Sequence, residues 1–170
     1  YYSNNNTVEN NTVTNSGTYG IHVYFVSQYN IVQNNRATGC GQFGIRLRDG
    51  ADHCLIYNNN ASDNGDGINL DGCEFTTITN NTFNDNTKAG IYIVVLVDNN
   101  TFAHNTIEHN IQYGLRVANS GNSNNMIYNN YFNNTNNAYD ESVNANWYIE
   151  PVSGTSIIGT SYIGGNYWDD

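Results

Sequence analysis

A glycine followed by an alternating apolar run recurs through this chain at a nearly constant interval. "GIHV" begins at Gly20, "GIRL" at Gly44, "GINL" at Gly67, "GIYI" at Gly90 and "GLRV" at Gly114, at intervals of 24, 23, 23 and 24 residues. A second signal keeps the same period: "VENNTV" from Val8, "VQNNRA" from Val32, "IYNNNA" from Ile56, "ITNNTF" from Ile78, "FAHNTI" from Phe102 and "IYNNYF" from Ile127. Self-similarity at this period marks stacked units, each too small to bury its own apolar face. Neither run has helical spacing. Each places apolar residues at alternate positions between Gly, Asn, Asp and Ser, as a short strand between turns does.

Three short strands and three turns in about 23 residues make one rung of a parallel β-helix. The expected fold is all-β: a right-handed, single-stranded parallel β-helix of about six rungs of 22–25 residues, right-handed because parallel crossovers overwhelmingly are. Rungs ~4.8 Å apart give a column about 29 Å tall. Residues 1–137 form the repeats, and residues 138–170 the last rung with an aromatic C-terminal cap containing Trp147, Tyr148, Tyr162, Tyr167 and Trp168. Four inward ladders follow from the register. They are Ile21/Ile45/Ile68/Ile91/Leu115, Val23/Leu47/Leu70/Ile93/Val117, Val8/Val32/Ile56/Ile78/Phe102/Ile127 and Val13/Ala37/Ala61/Phe83/Ile107/Phe132.

Asparagine makes up about a fifth of the chain, and the rung explains why. At each corner the backbone turns inside the column, leaving N–H and C=O groups that a carboxamide can serve both as donor and as acceptor. Asn11, Asn35, Asn59, Asn81, Asn105 and Asn130 recur at one corner and are expected to stack as a hydrogen-bonded ladder. With a net charge of −10 and only five Lys plus Arg, the chain lacks the basic track that a nucleic acid requires. No apolar run approaches the ~20 residues of a membrane-spanning helix. The chain begins with Tyr1 rather than Met, which reads as a processed or partial product.

The "NNT(I/F)xxNxxxGI" rung resembles the β-helix repeats of the NosD-like and carbohydrate-binding/sugar-hydrolase (CASH) families. The tail "NWYIEPVSGTSIIGTSYIGGNYWDD", Asn146 to Asp170, resembles the terminal element of surface-layer and NosD-like proteins of methanogenic archaea. The resemblance covers essentially the whole chain. It implies a structural protein at the cell surface, outside the cytoplasm, that self-assembles into an archaeal envelope layer, sheath or filament. Some relatives on this architecture cleave or epimerise polysaccharides, but the chain lacks a carboxylate set suited to acid/base work, so no enzymatic activity and no cofactor are expected. Its partners are copies of itself as homo-oligomer or polymer, and a cell-surface glycan. Copper, suggested by the NosD likeness, has few ligands here: one Met, and His22, His53, His104 and His109 scattered over different rungs.

The alternative is a carbohydrate-binding module or polysaccharide-active enzyme, lyase or hydrolase in type. Outward positions of the glycine-led strands place His22, Arg46, Asn69, Tyr92 and Arg116 in one row, with Arg48 and Asp71 beside them. Arginines and aromatics in such a strip suit an acidic glycan. They equally suit an Arg48–Asp71 pair, with Arg46 and Arg116 facing solvent or a neighbouring subunit. Two turns, Tyr24, Phe25, Val26 and Val94, Val95, Leu96, Val97, are apolar where turns are usually polar, and suggest an assembly patch beside an uncapped N-terminal end. Asp63 and Asp66 in "SDNGDG" are a calcium candidate without the spacing of a known loop. Cys54 and Cys73 occupy the same corner of adjacent rungs, where a disulfide is feasible. Cys40 is left as a buried thiol or an intersubunit crosslink.

Overall fold

The structure, a computed structural model, describes residues 2–169. Tyr1 and Asp170, which open the chain and close the quoted tail, lie outside the described residues. Three parallel sheets run the length of a solenoid, and no helix occurs among the described residues. The first sheet has seven strands and the third has six, each strand bonded to the equivalent strand of the next rung. The second sheet is narrower. Its strands Arg36–Thr38 and Thr106–Glu108 are linked by single bridges through Asn60 and Thr82.

Register is set from inside. Ile21 pairs with Ile45, Ile45 with Ile68, Ile68 with Ile91 and Ile91 with Leu115; Val8, Val32, Ile56, Ile78, Phe102 and Ile127 align in the same way. A slip of one residue would move these ladders outward and polar residues inward. The core they form is closed to solvent over its middle rungs. Gly67 shows how tightly the glycine-led corner is drawn: a Cβ there would lie 2.5 Å from the Gly90 carbonyl oxygen and 2.9 Å from that of Ala61. Both obstacles are backbone and cannot rotate away. Gly67→Ala should therefore lower stability by several kcal/mol, of the order of overpacking a rigid core, as read by urea unfolding against Gly17→Ala, whose Cβ would meet nothing within 4 Å.

Three asparagine ladders brace the corners. In one, the Oδ1 atoms of Asn35, Asn59, Asn81, Asn105 and Asn130 each accept the backbone N–H of the asparagine one rung before, at 2.9–3.0 Å, beginning with that of Asn11. Asn166 accepts from Asn130 at its end. A second runs through Asn64, Asn86, Asn110 and Asn134, and a third through Thr76, Asn100 and Asn125.

Ala138–Asp140, Asn144–Asn146 and Tyr167–Asp169 add one more strand to each of the three sheets, and Tyr148–Ser153 forms an antiparallel ribbon with Tyr162–Gly165. The cap is narrower than the sequence suggests. Trp168 stacks on Phe132 at 4.6 Å and Trp147 packs against the core, whereas Tyr148 and Tyr162 stand exposed on the ribbon.

A hydrogen-bonded latch holds that ribbon. The corner after the first sheet is left-handed in each rung and carries Asn10, Asn34, Asn58, Asn80, His104 and Asn129. The Ile157 N–H can only donate, so Asn129 turns its Oδ1 to it at 2.8 Å. The Asn129 Nδ2–H group then faces His104 Nδ1 at 2.6 Å, which requires a lone pair there and hence a neutral imidazole. Burial lowers the His104 pKa below its ordinary 6.5. A histidine depressed in the folded state stabilises fully above its unfolded pKa, and that contribution is lost as pH falls through the folded value. Thermal stability and protection of the Ile157 amide should therefore decline as pH drops below about 6.5. His104→Phe should remove that component, and an identical pH profile for the two proteins would refute the latch.

Three sequence expectations are corrected. Val97 belongs to the core, because it fills the inward corner that Cys73 fills one rung before, as the Glu74–Asp98 bridge aligns them. The remaining apolar turn residues form two separate patches: Tyr24 and Phe25 are divided from Val94, Val95 and Leu96 by rungs bearing Arg48, Asp49 and Asp71. Cys54 and Cys73 are free thiols, and so is Cys40, all buried. Cys54 stacks with Thr76, its N–H donating to Thr76 Oγ1, while the Cys73 thiol turns to the Asp71 carbonyl oxygen at 3.5 Å. Burial pushes the Cys73 thiol up to about 12. Cys40, 2% exposed, offers no sulfur to a neighbouring subunit.

Candidate functional site

The outer face of the third sheet carries three of the four arginines of the chain, Arg46, Arg48 and Arg116, among several aromatic rings. Successive rungs bring His22 beside Arg46, Arg46 beside Asn69, Asn69 beside Tyr92 and Tyr92 beside Arg116. A second row, one residue before each glycine, holds Tyr19, Phe43, Asp66, Ala89 and Tyr113. Sequence reading missed this second row. The residue after each glycine lies in the core and the residue before it sits with the outward arginines, an order that strict alternation does not give, although the "YG", "FG", "DG", "AG", "YG" series is legible in the repeat.

The arginines are held by rings. Arg46 lies 5.0 Å from the Tyr19 centroid and 5.2 Å from that of Phe43, and donates to the Tyr19 hydroxyl at 2.6 Å. Arg116 lies 5.2 Å from the Tyr92 centroid and 5.9 Å from that of Tyr113. Asp71 faces both Arg46 at 3.5 Å and Arg48 at 3.4 Å, so the Arg48–Asp71 pair exists alongside the strip. Cation–π contacts fix each guanidinium without using up its hydrogen-bond donors. The Nε atoms of Arg46 and Arg116 are buried without a hydrogen-bond partner, as is Oδ1 of Asn69, a residue only 1% exposed. Buried polar atoms left open in this way are uncommon.

Between Arg116 and Phe43 lies a cleft of about 270 Å³ lined by Asp66, Lys88, Ala89, Tyr92 and Gln112. Asp66 is 3% exposed, and its Oδ1 accepts the Ala89 N–H at 2.9 Å. Burial raises its carboxyl above the ordinary range, while the Ala89 N–H, Lys88 and Arg116 pull it down. Burial, then Arg46 and Arg48, lowers the His22 imidazole. The calcium expectation is corrected: Asp66 points into this cleft from a strand, whereas Asp63 sits exposed at a left-handed corner. A second cleft, about 200 Å³ under the terminal ribbon, is lined by hydroxyls, amides and apolar groups, without a charged side chain.

The family model described as periplasmic copper-binding protein (NosD) matches residues 1–170. No curated protein shows a significant match. Among solved structures, a point variant of the periplasmic alginate epimerase AlgG superposes with a TM-score of 0.70 at 25% identity, over 78% of this chain and 31% of that one. The Azotobacter vinelandii mannuronan C-5 epimerase AlgE6 A-module gives 0.62 at 13% identity, over 98% and 58%, and the AlgE4 A-module 0.53 at 14%, over 84% and 55%. The chain thus spans about a third of AlgG and under two thirds of the two A-modules. At their identity the A-modules establish the fold alone. The expectation of a protein that is not an enzyme is overturned by this set, whose members are epimerases. The archaeal envelope-layer likeness has no counterpart in it.

Copper does not fit the residues present. Among the described residues no three His, Cys, Asp or Glu side chains come together in a way that would hold an ion. His53 is stacked between Tyr29 and Phe75, His104 is bound to Asn129, and His109 lies beside Asp85. The buried thiols are raised in pKa, away from the thiolate that copper takes.

Proposed function

The chain belongs to the NosD family, and we propose that it works outside the cytoplasm as a β-helix protein that binds an acidic, uronate-bearing polysaccharide across its third sheet and acts on it. One observation carries the reading. Arg116, braced by the Tyr92 and Tyr113 rings, lines a cleft that contains a buried carboxyl and a lysine, and Arg46, braced by Tyr19 and Phe43, lies beside it across Phe43. A uronate carboxylate accepts a forked pair of hydrogen bonds from a guanidinium, and neutralising that carboxylate acidifies the C–H beside it. Arg116 and Lys88 supply the neutralisation. Asp66 and Tyr92 are the groups in the same cleft that can take up and return a proton. The likeness to AlgG supports the polymer class, because alginate is a polyuronate.

The test uses polymannuronate and a neutral glucan. Binding to the first, weakening with salt as charge contacts do, and none to the second is the expected result. In heavy water the bound polymer should gain deuterium at the carbon beside its carboxylate, read by NMR. Equal binding of the two polymers would overturn the reading.

A further inference from the structure

The first two rungs of the third sheet carry a file of touching rings, of which Phe43 alone lines the cleft. Tyr24 meets His22 at 5.1 Å, His22 meets Tyr19 at 5.0 Å, and Tyr19 stacks on Phe43 at 5.5 Å and 8°. Phe25 continues the file beyond Tyr24 at 5.9 Å. Tyr24 is 47% and Phe25 38% exposed. These positions face water on a sheet whose next rungs carry Arg46, Arg48, Asn69 and Asp71 there. A contiguous run of exposed rings is more than a solvent-facing strand requires.

Phe43 is the junction. It lines the cleft with Asp66 and Arg116, stacks on Tyr19, and shares the Arg46 guanidinium with it. A ligand leaving the cleft at Phe43 therefore passes onto Tyr19. Sugar polymers match such a junction: their pyranose edges carry polar groups, and their faces carry C–H bonds that pack on the electron-rich face of a ring. His22 suits the file because burial and the two arginines keep its imidazole uncharged into lower pH. Arg46, Arg48 and Asp49 are the charges that act on it.

We propose that Phe43, Tyr19, His22 and Tyr24 form a second binding segment, an aromatic track that seats the sugar faces of the same acidic polymer whose carboxylates the cleft holds. This rests on the polyuronate reading above. From the rung of Arg116 to the first rung is about 19 Å, and from Tyr19 to Tyr24 about 16 Å. Only an extended oligomer reaches both segments.

Binding of a mannuronate trisaccharide and of polymannuronate is measured for the wild type, for His22→Ala with Tyr24→Ala, and for Tyr24→Phe, with unfolding curves for each. The double variant should bind the polymer roughly tenfold more weakly, as two lost ring contacts imply, and the trisaccharide unchanged. Tyr24→Phe should bind both as the wild type does. Equal affinities of double variant and wild type for the polymer would overturn the track while leaving the cleft. So would equal losses for trisaccharide and polymer. A wild type that binds neither ligand would overturn the polyuronate reading and the track with it. A change in oligomeric state with unchanged polymer affinity would assign the rings to a second copy of the chain and also overturn the proposal.

Discussion

Asn81→Ala is expected to lower the unfolding free energy by about 3–5 kcal/mol. Asn81 is 1% exposed at the middle of its ladder. Its Oδ1 accepts the Asn59 N–H at 2.9 Å and the Asn59 carboxamide at 3.0 Å. Its Nδ2 donates to the carbonyl oxygens of Ile56 and Thr79 and to Asn105 Oδ1. Alanine removes all five bonds and leaves the Asn59 N–H buried, where water cannot replace the lost acceptor. Each such orphan costs about 1–3 kcal/mol, and breaking the chain of polarised amides weakens the bonds above and below. Asn11, at the exposed first rung, gives the comparison: its Nδ2 reaches only Glu9 and Asn35, and its replacement by alanine should cost about 1 kcal/mol. Urea unfolding of the two variants decides the matter. Equal losses would mean that the ladder is an ornament of the repeat and that the apolar core alone holds the column.

The second large effect concerns ligand. Arg46→Ala with Arg116→Ala should weaken polymannuronate binding by at least a hundredfold, because each forked, charge-assisted contact contributes about 1.5–3 kcal/mol. The two arginines lie three rungs, or about 14 Å, apart, so their losses should add. The fold should survive, since both lie on the outer face and Asp71 keeps Arg48 when Arg46 is removed. Arg→Lys at both positions keeps the charge and loses the fork, and should recover only part of the affinity. Isothermal titration at two salt concentrations reads both variants. An alanine double variant that binds like the wild type would remove the strip from the site.

The column itself was legible before any coordinate. Each rung repeats its inward residues at one spacing, so the alignment of "GIRL" with "GINL" is already the pairing of Ile45 with Ile68. The ladder through Asn81 was legible for the same reason, since asparagine recurs at that corner in each rung. The other two ladders were missed because Cys40 and Thr76 interrupt them, and a mixed column does not announce itself as a repeat. Val97 was misplaced because "VVLV" looks like one apolar turn, although its last residue has already passed the corner and points inward.

What the sequence by itself determined is the register. A strand exposes alternate residues to alternate sides, so a chain whose apolar residues recur every 23–24 positions has one stacking that buries them all. What only the tertiary structure decided is the chemistry of the face. Asp66, Lys88 and Arg116 lie in three different rungs, and nothing in their spacing says that one cleft holds them. The raised carboxyl of Asp66, the unpaired Nε atoms of Arg46 and Arg116 and the raised thiols are consequences of burial. Burial depends on which side chains from neighbouring rungs lie over a group, and those neighbours are set across space rather than along the chain.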